Sequence, residues 1–259
     1  MIMSKEENIL LNMKKAFDII YKGKRSESYR DILRKAYGDD YPEELGGDNF
    51  VTMTDLQNIT RYLNVAPGDT FVDLGCGRGG PGLWITRETG ANYVGIDLSE
   101  IGMEVAAQQA KELGLKDKVS FQVGNICATN FPDNCFDGAI SIDVIQYLPD
   151  KLAGICEVER ILRSDAFFAF ITWEEKNQPN GVDDYRPLLR KAGLRVKVYN
   201  KSPDWERRQR EVYEEILKSK KILINDMGSE VGSIYIMEAK VHLRKLENMR
   251  RILAVAKKI

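Results

Sequence analysis

The chain has 259 residues, 43% of them hydrophobic, and its 38 basic residues stand against 39 acidic ones for a formal net charge of −1. That length suits one large α/β domain with an insertion, or a domain plus a small cap. The balanced, interspersed charge excludes a global attraction to nucleic acid or to an anionic membrane.

In chain order, Met1 to Lys24 mixes Lys and Glu with an apolar stripe and lacks the continuous apolar segment of a signal peptide. The longest ordered apolar run, Ala166 to Ile171, is too short to span a bilayer, so a cytoplasmic protein is the expectation. Ile9, Leu10, Met13, Ala16, Phe17 and Ile20 recur at helical spacing and predict a first amphipathic helix over residues 7–22. A second is predicted from Tyr29 to Tyr37, stopping at Gly38, with a loop through Asp39 to Pro42 and Gly46-Gly47. The third begins near Thr54 as N-cap and turns Leu56, Ile59 and Leu63 inward before Pro67-Gly68.

Beyond Pro67 strands and helices alternate, the pattern of a mostly parallel sheet covered on both faces. The predicted strands are Thr70 to Leu74, Tyr93 to Ile96, Val119 to Val123, Gly138 to Ile142, Phe167 to Thr172 and Arg195 to Tyr199, with Arg251 to Ala256 as the last. Helices are predicted between them at Gly80 to Thr89, Glu100 to Leu113, Lys151 to Leu162 and Tyr185 to Ala192. Asp204 to Leu246 reads as one long helical stretch interrupted at Gly228-Ser229 and folded as a hairpin. The expected fold is therefore α/β and Rossmann-like: a mostly parallel seven-stranded sheet, leading helices, and a helical insertion before the last strand.

Within this pattern Phe71 to Gly82 reads as a buried strand, a glycine turn and the first turn of a helix, with Pro81 suited to the first helical position. Gly75, Gly77 and Gly80 fit G-x-G-x-x-G, a pattern shared by several nucleotide sites. Asp73 distinguishes among them. A carboxylate in that strand would repel a pyrophosphate but hold a cationic amino group. The second strand ends at Asp97, where a carboxylate accepts ribose hydroxyls.

Asp73-Leu74-Gly75-Cys76-Gly77-Arg78-Gly79-Gly80, Gly95-Ile96-Asp97-Leu98-Ser99 and Phe136 to Asp143 together resemble the class I S-adenosylmethionine-dependent methyltransferase family, over roughly residues 50–200 and the last strand. The resemblance implies that the backbone of Gly75, Cys76 and Gly77 packs on the methionine part of the cofactor, with Asp73 nearby. Asp97 would bind the ribose, Leu98 would cover the adenine face, and Asn125 and Ile126 would edge it, although many relatives carry Asp where this chain has Asn125. Ser141 and Asp143 would lie beside the methyl donor. Plainer readings make Asn125 a turn amide and Asp143 an N-cap.

Methyl transfer from a sulfonium is an in-line displacement that chiefly needs positioning, and a base only when the acceptor must lose a proton. Gln146 stands where many relatives carry histidine, and the sole histidine, His242, falls in the insertion as a surface or packing residue. Asp143, Tyr147, Trp173 and Glu174 remain as catalytic candidates, Tyr147 and Trp173 also as packing groups. Residues 1–50 are expected to form a helical lid, 51–202 with 248–259 the cofactor-binding domain, and 203–247 a substrate cap. Tyr29, Tyr37, Tyr41 and Phe50 with Trp205, Tyr213, Tyr235 and Met237 either roof an apolar acceptor cavity or fasten these segments to the sheet.

Cys76, Cys127, Cys135 and Cys156 form no CxxC pair, so reduced thiols and no metal site are expected. A small-molecule methyltransferase using S-adenosyl-L-methionine is the leading expectation. Ser141-Ile142-Asp143-Val144 lacks the Pro-Pro-aromatic signature of nucleic-acid amine enzymes. An NAD(P)-dependent oxidoreductase and a cofactor-binding protein without catalysis are the alternatives.

Overall fold

The computed structural model describes residues 5–23, 26–45 and 50–259; the expected Gly46-Gly47 loop lies outside them. Strands β1 (Thr70–Leu74), β2 (Asn92–Asp97), β3 (Val119–Val123), β4 (Phe136–Ile142), β5 (Leu162–Glu175), β6 (Leu194–Lys201) and β7 (Met249–Lys258) form one sheet in the order β3-β2-β1-β4-β5-β7-β6. β1 to β5 pair in parallel, whereas β7 runs antiparallel between β5 and β6. The expected mixed, mostly parallel seven-stranded sheet is thus the fold. The chain order reverses at β1, flanked by β2 and β4, and this is where open α/β sheets leave a crevice at their carboxyl ends.

Helices α1 (Lys5–Lys22), α2 (Glu27–Tyr37) and α3 (Met53–Leu63) precede the sheet, and α4 (Gly80–Thr89), α5 (Glu100–Glu112), α6 (Lys151–Ile161) and α7 (Arg186–Lys191) connect its strands. Alternate strand residues feed opposite faces. Val72, Leu74, Phe168 and Phe170 pack against Ile155 and Val158 of α6 and Leu189 of α7. Phe71, Ile140 and Val255 pack with Leu56 and Ile59 of α3 and Leu83 of α4 on the other side.

The insertion is not one interrupted helix but three, α8 (Trp205–Lys218), α9 (Lys220–Met227) and α10 (Ser229–Lys245). It breaks at Ser219 as well as at Gly228, whose φ of +86° suits glycine. These helices share an apolar cluster with α2, in which Tyr29, Ile32 and Leu33 meet Val212, Tyr213, Ile216 and Leu223. Ser26 Oγ adds a hydrogen bond to Asp226 at 2.8 Å, and Arg208 pairs with Asp40 at 2.8 Å. Segments far apart in sequence therefore form one layer over the carboxyl edge of the sheet.

Three boundaries differ from the sequence pattern. Thr52, not Thr54, caps α3, because its hydroxyl accepts from Asp55 N while Asp55 accepts from Thr52 N in a capping box; Thr54 N instead donates to Asp40. β5 begins five residues early, at Leu162, its register shifting between Phe136 and Gly138 with Asp165 at φ +68°. Gly79 caps α4, so Pro81 takes its second position rather than its first.

Candidate active site

β1 ends at Leu74, and the turn that follows is tied to β2 by Gly75 N and Cys76 N, which donate to Ile96 O at 2.8 and 3.2 Å. Gly75 has φ +82° and a Cβ there would lie 2.5 Å from a Val144 methyl; Gly77 has φ +52°. Only glycine combines that backbone shape with that clearance. At the end of β2, Asp97 accepts from Gly77 N and Ser99 N, one bond to each carboxylate oxygen, both 2.9 Å. Burial pushes the Asp97 carboxyl above its ordinary range, against those N–H groups that favour the anion.

The turn, Asp97 and the start of the β4–α6 loop wall a cavity with about 920 Å³ of space between atoms, part of it open to solvent. Of the expected cofactor residues, Gly75, Cys76, Gly77, Asp97, Leu98, Asn125 and Ile126 all line it. Leu10, Met13, Phe17 and Tyr21 of α1 close its far side. Arg78 fastens that helix: its Nη2 donates to the carbonyls of Ile20, Tyr21 and Gly23 at 2.8, 3.0 and 3.1 Å, meeting acceptors left open at the helix end.

Asp73 and Ser141 do not reach this wall. Asp73 is buried beneath the turn, where desolvation first and the Asp97 charge second push its carboxyl up to about 8. Ser141 is fully buried and donates to Leu74 O at 2.8 Å, tying β4 to β1. Asn125 lines the cavity while its Oδ1 accepts from Cys127 N at 2.9 Å, so the turn-amide role and the wall position coincide.

Asp143 lines the cavity with φ +58°, a left-handed conformation that Asp tolerates better than most residues. Its carboxylate is engaged by the buried Arg251 guanidinium of β7 and accepts from Phe50 N at 3.2 Å. A carboxylate held from both sides in this way is a positioning group. Tyr147 lines the cavity beside Phe17, ring centroids 6.0 Å apart, and keeps 42% of its surface exposed.

Trp173 and Glu174 are not brought to that cavity. Successive residues of a strand point to opposite faces, so the pair could not share it. Trp173 packs edge-on to Phe50 and Trp205 with Arg251 over its ring, and Glu174 bonds the Tyr199 hydroxyl and Arg250. Gln146, in the position discussed for histidine, accepts from Thr172 Oγ1 at 2.7 Å.

The sequence reading missed which residues of α1 face the cavity, the Arg251–Asp143 pair, and a carboxylate–histidine pair on α10 outside the cavity wall. Glu238 and His242 lie four residues apart on the buried stripe of α10 that also carries Val231, Tyr235 and Leu246 of the following turn. A carboxylate and the sole histidine interrupting an apolar stripe at that spacing was the available signal. Burial pushes the Glu238 carboxyl up to about 7 and the His242 imidazole down to about 4. No group of three or more His, Cys, Asp or Glu side chains is placed to hold a metal among the described residues. Nor is any helix among them long and apolar enough to cross a membrane.

Residues 72–170 match a family model described as a methyltransferase domain. Among curated proteins, a probable chloroplastic tocopherol O-methyltransferase of Oryza sativa is 34% identical over 136 residues, covering 52% of this chain and 38% of that protein. Methyltransferase phqN of Penicillium fellutanum is 33% identical over 138 residues, covering 53% of this chain and 41% of that protein. The matches span less than two thirds of these relatives' length. Among solved structures, the [4+2]-cyclase SpnF aligns over 96% of both chains with a TM-score of 0.74 and 19% identity. Geranyl diphosphate C-methyltransferase of Streptomyces coelicolor aligns over 87% of both chains with a TM-score of 0.64 and 20% identity, which at this level is a likeness of fold. Sequence motifs, the methyltransferase-domain match over residues 72–170 and the likeness of fold agree, and in these respects the chain is similar to class I S-adenosylmethionine-dependent methyltransferases.

Proposed function

We propose that the chain transfers a methyl group from S-adenosyl-L-methionine to a small-molecule acceptor. The observation that carries this reading is the cavity at the β1–β4 crossover, walled by Gly75 to Arg78, Asp97, Leu98, Asn125 and Ile126. These residues fit the cofactor chemically. The glycine turn leaves room beside the backbone, each Asp97 oxygen retains a lone pair for a ribose hydroxyl, and Leu98 and Ile126 supply apolar cover for a purine. The bound cofactor supplies an activated methyl on a sulfonium. Asp73, held largely neutral beneath the turn, becomes the counter-charge of a cationic amino group arriving above it.

On the acceptor side Asp143, fixed by Arg251 and Phe50 N, sets the course of the loop that carries Val144 and Tyr147 to the cavity. α1, held by Arg78, acts as a lid that excludes water and orients the acceptor. The enclosed site and the charge balance favour a metabolite over nucleic acid. Four free cysteines accord with a reducing, cytoplasmic setting.

Calorimetry with S-adenosylhomocysteine and with NAD(H) and NADP(H) tests the donor site: the thioether should bind and the nicotinamide cofactors should not, and the reverse would overturn the reading. The full-length match to a [4+2]-cyclase favours a second reading, a cofactor-holding fold that performs no methyl transfer. Metabolite pools incubated with isotopically methyl-labelled donor separate the two, because only a methyltransferase leaves label on an acceptor.

A further inference from the structure

A second pocket, with about 520 Å³ of space between atoms, part of it open to solvent, is walled by the end of α2, the start of α3, the β6–α8 connection with α8, and β7. It adjoins the cofactor cavity through one pair of contacts. Arg251 and Phe50 line this pocket, and the Arg251 guanidinium and Phe50 N are the groups that hold Asp143, which lines the cofactor cavity.

Five side chains of its wall carry a buried polar atom that makes no hydrogen bond among the described residues: Ser202 Oγ, Trp205 Nε1, Arg208 Nε, Gln209 Nε2 and Arg251 Nη2. Ser202, Trp205, Gln209 and Arg251 each keep no more than 6% of their surface exposed. The nearest carboxylate oxygen to Arg251 Nη2 in an ion pair is that of Asp55, at 3.9 Å, beyond hydrogen-bond distance, and the Gln209 amide stands beside the Tyr213 hydroxyl. A buried donor left unpaired costs stability, and native folds keep few of them. Their convergence on one pocket from α8, β7 and the β6–α8 connection marks a site that a bound molecule completes.

The donor set defines that molecule. The nitrogens of Trp205, Arg208, Gln209 and Arg251 can only donate, so the ligand must present several acceptor oxygens. The two guanidiniums are already neutralised: Arg208 pairs with Asp40 at 2.8 Å, and Arg251 is held to Asp143 with Asp55 close by. A carboxylate or phosphate entering the pocket would therefore face Asp40 and Asp55 without a cation left to balance it. Hydroxyl groups answer both needs. Their oxygens accept from the unpaired nitrogens, and their protons reach the carboxylate lone pairs that remain after Asp40 accepts from Thr54 N and Arg208, and Asp55 from Thr52 N. Tyr37, Phe50 and Trp205 add aromatic surface against which the C–H faces of a ring can rest.

We propose that this pocket binds a neutral, polyhydroxylated small molecule, a sugar ring or cyclic polyol, whose oxygens accept from Trp205, Arg208, Gln209 and Arg251 and whose hydroxyls donate to Asp40 and Asp55. The site is independent of methyl transfer, and its test needs no turnover. Ordered water also satisfies buried donors in a polar cavity, and the test separates it from a bound polyol.

Saturation-transfer NMR on the full chain uses methyl α-D-glucopyranoside and myo-inositol as probes and D-glucuronate as the anionic counterpart, each with and without excess S-adenosylhomocysteine. Both neutral probes should show saturation that the thioether leaves unchanged, and glucuronate should bind more weakly. Ser202→Ala and Gln209→Leu should each weaken the neutral probes by about 2–10-fold, the worth of one neutral hydrogen bond. Neither should lower the midpoint of thermal unfolding, because the groups removed are unpaired in the empty protein. Absence of saturation from both neutral probes would mean that the pocket holds water only and would overturn the proposal. So would loss of the signal on adding the thioether, a preference for glucuronate, or wild-type probe affinity in both variants. A lower unfolding midpoint in both variants would also overturn it, by showing these groups bonded within the fold. Failure of the thioether itself to bind would count against the methyltransferase reading alone, since the two variants still locate the polyol.

Discussion

The donor and acceptor sides of the cavity are built in different ways. On the donor side, main-chain shape and strand ends do most of the work: Gly75 and Gly77 at positive φ, Asp97 closing β2, and Asn125 in a tight turn after β3. Each lies within two or three residues of a strand terminus. The far side is closed by side chains of α1 and the β4–α6 loop, and α2, α8 and α10 join through an apolar cluster of their own. Damage to the first should therefore appear as lost donor affinity, and damage to the second as lost turnover.

The seam between the two sides is the Arg251–Asp143 pair, and breaking it should have the largest effect on stability. Arg251→Met strands the Asp143 carboxylate in a site that Arg251 had neutralised, and should lower unfolding free energy by about 3–5 kcal/mol in a urea titration. A loss below about 1 kcal/mol, the worth of an exposed pair, would show that the pair is not structural.

Asp97→Asn sharpens the donor side. Replacing a charged acceptor of two backbone N–H groups and of the proposed ribose contacts should weaken S-adenosylhomocysteine binding by roughly 10–100-fold by calorimetry, at about 1.5–3 kcal/mol for hydrogen bonds to a charged group. Unchanged affinity would remove Asp97 from the donor site.

The helical layer has a pH signature in stability, carried by Glu238 and His242 of α10. Glu238 is raised in the fold, so its contribution is fully present below its unfolded pKa, near 4.5, and is lost as pH rises through about 7. His242 is lowered, so its contribution is present above about 6.5 and is lost as pH falls through about 4. Glu238→Gln should flatten part of the decline between pH 4.5 and 7, by about 1–3 kcal/mol, leaving the share that Asp73 continues up to about 8. An unaltered slope in that window would contradict the buried, proton-binding setting of Glu238.

Smaller effects belong to the cover. Arg78→Ala leaves three carbonyls at the end of α1 without their guanidinium, worth about 1 kcal/mol net, and should speed amide exchange in residues 5–23 and hasten thioether release. Equal exchange in variant and wild type would mean that α1 is held by its apolar face alone. Lys35→Ala, at an exposed pair between α2 and α8, should change stability by less than about 0.5 kcal/mol. A larger loss would mean that charge pairing, rather than the shared apolar cluster, joins those helices.

The same division governs how far the sequence could be read. The strand–helix alternation, the sheet class and the place of seven of the nine expected cofactor residues on the cavity wall were legible, because each depends on local periodicity or on a turn at a strand end. Asp73 and Ser141 stood in the right motifs, but a motif does not say which way a buried side chain faces. Trp173 and Glu174 illustrate this from the other side: both follow the expected strand, yet alternation turns one toward Phe50 and the other toward Tyr199 and Arg250. Thr52 displaced Thr54 as the α3 cap because the capping box needs its partner, Asp55, three residues on.

By itself the sequence determined the sheet, its glycine turn and the Asp97 carboxylate, since neighbours along the chain fix backbone dihedrals and strand ends. Tertiary structure alone decided which side chains of α1 meet the cavity, that Arg251 occupies Asp143, and that Glu238 lies beside Tyr213 and His242. These are meetings of side chains many residues apart. What decides them is burial, which favours one packing of α1, α2 and α8 to α10 over the sheet and thereby determines which charges are neutralised and which stay available for chemistry.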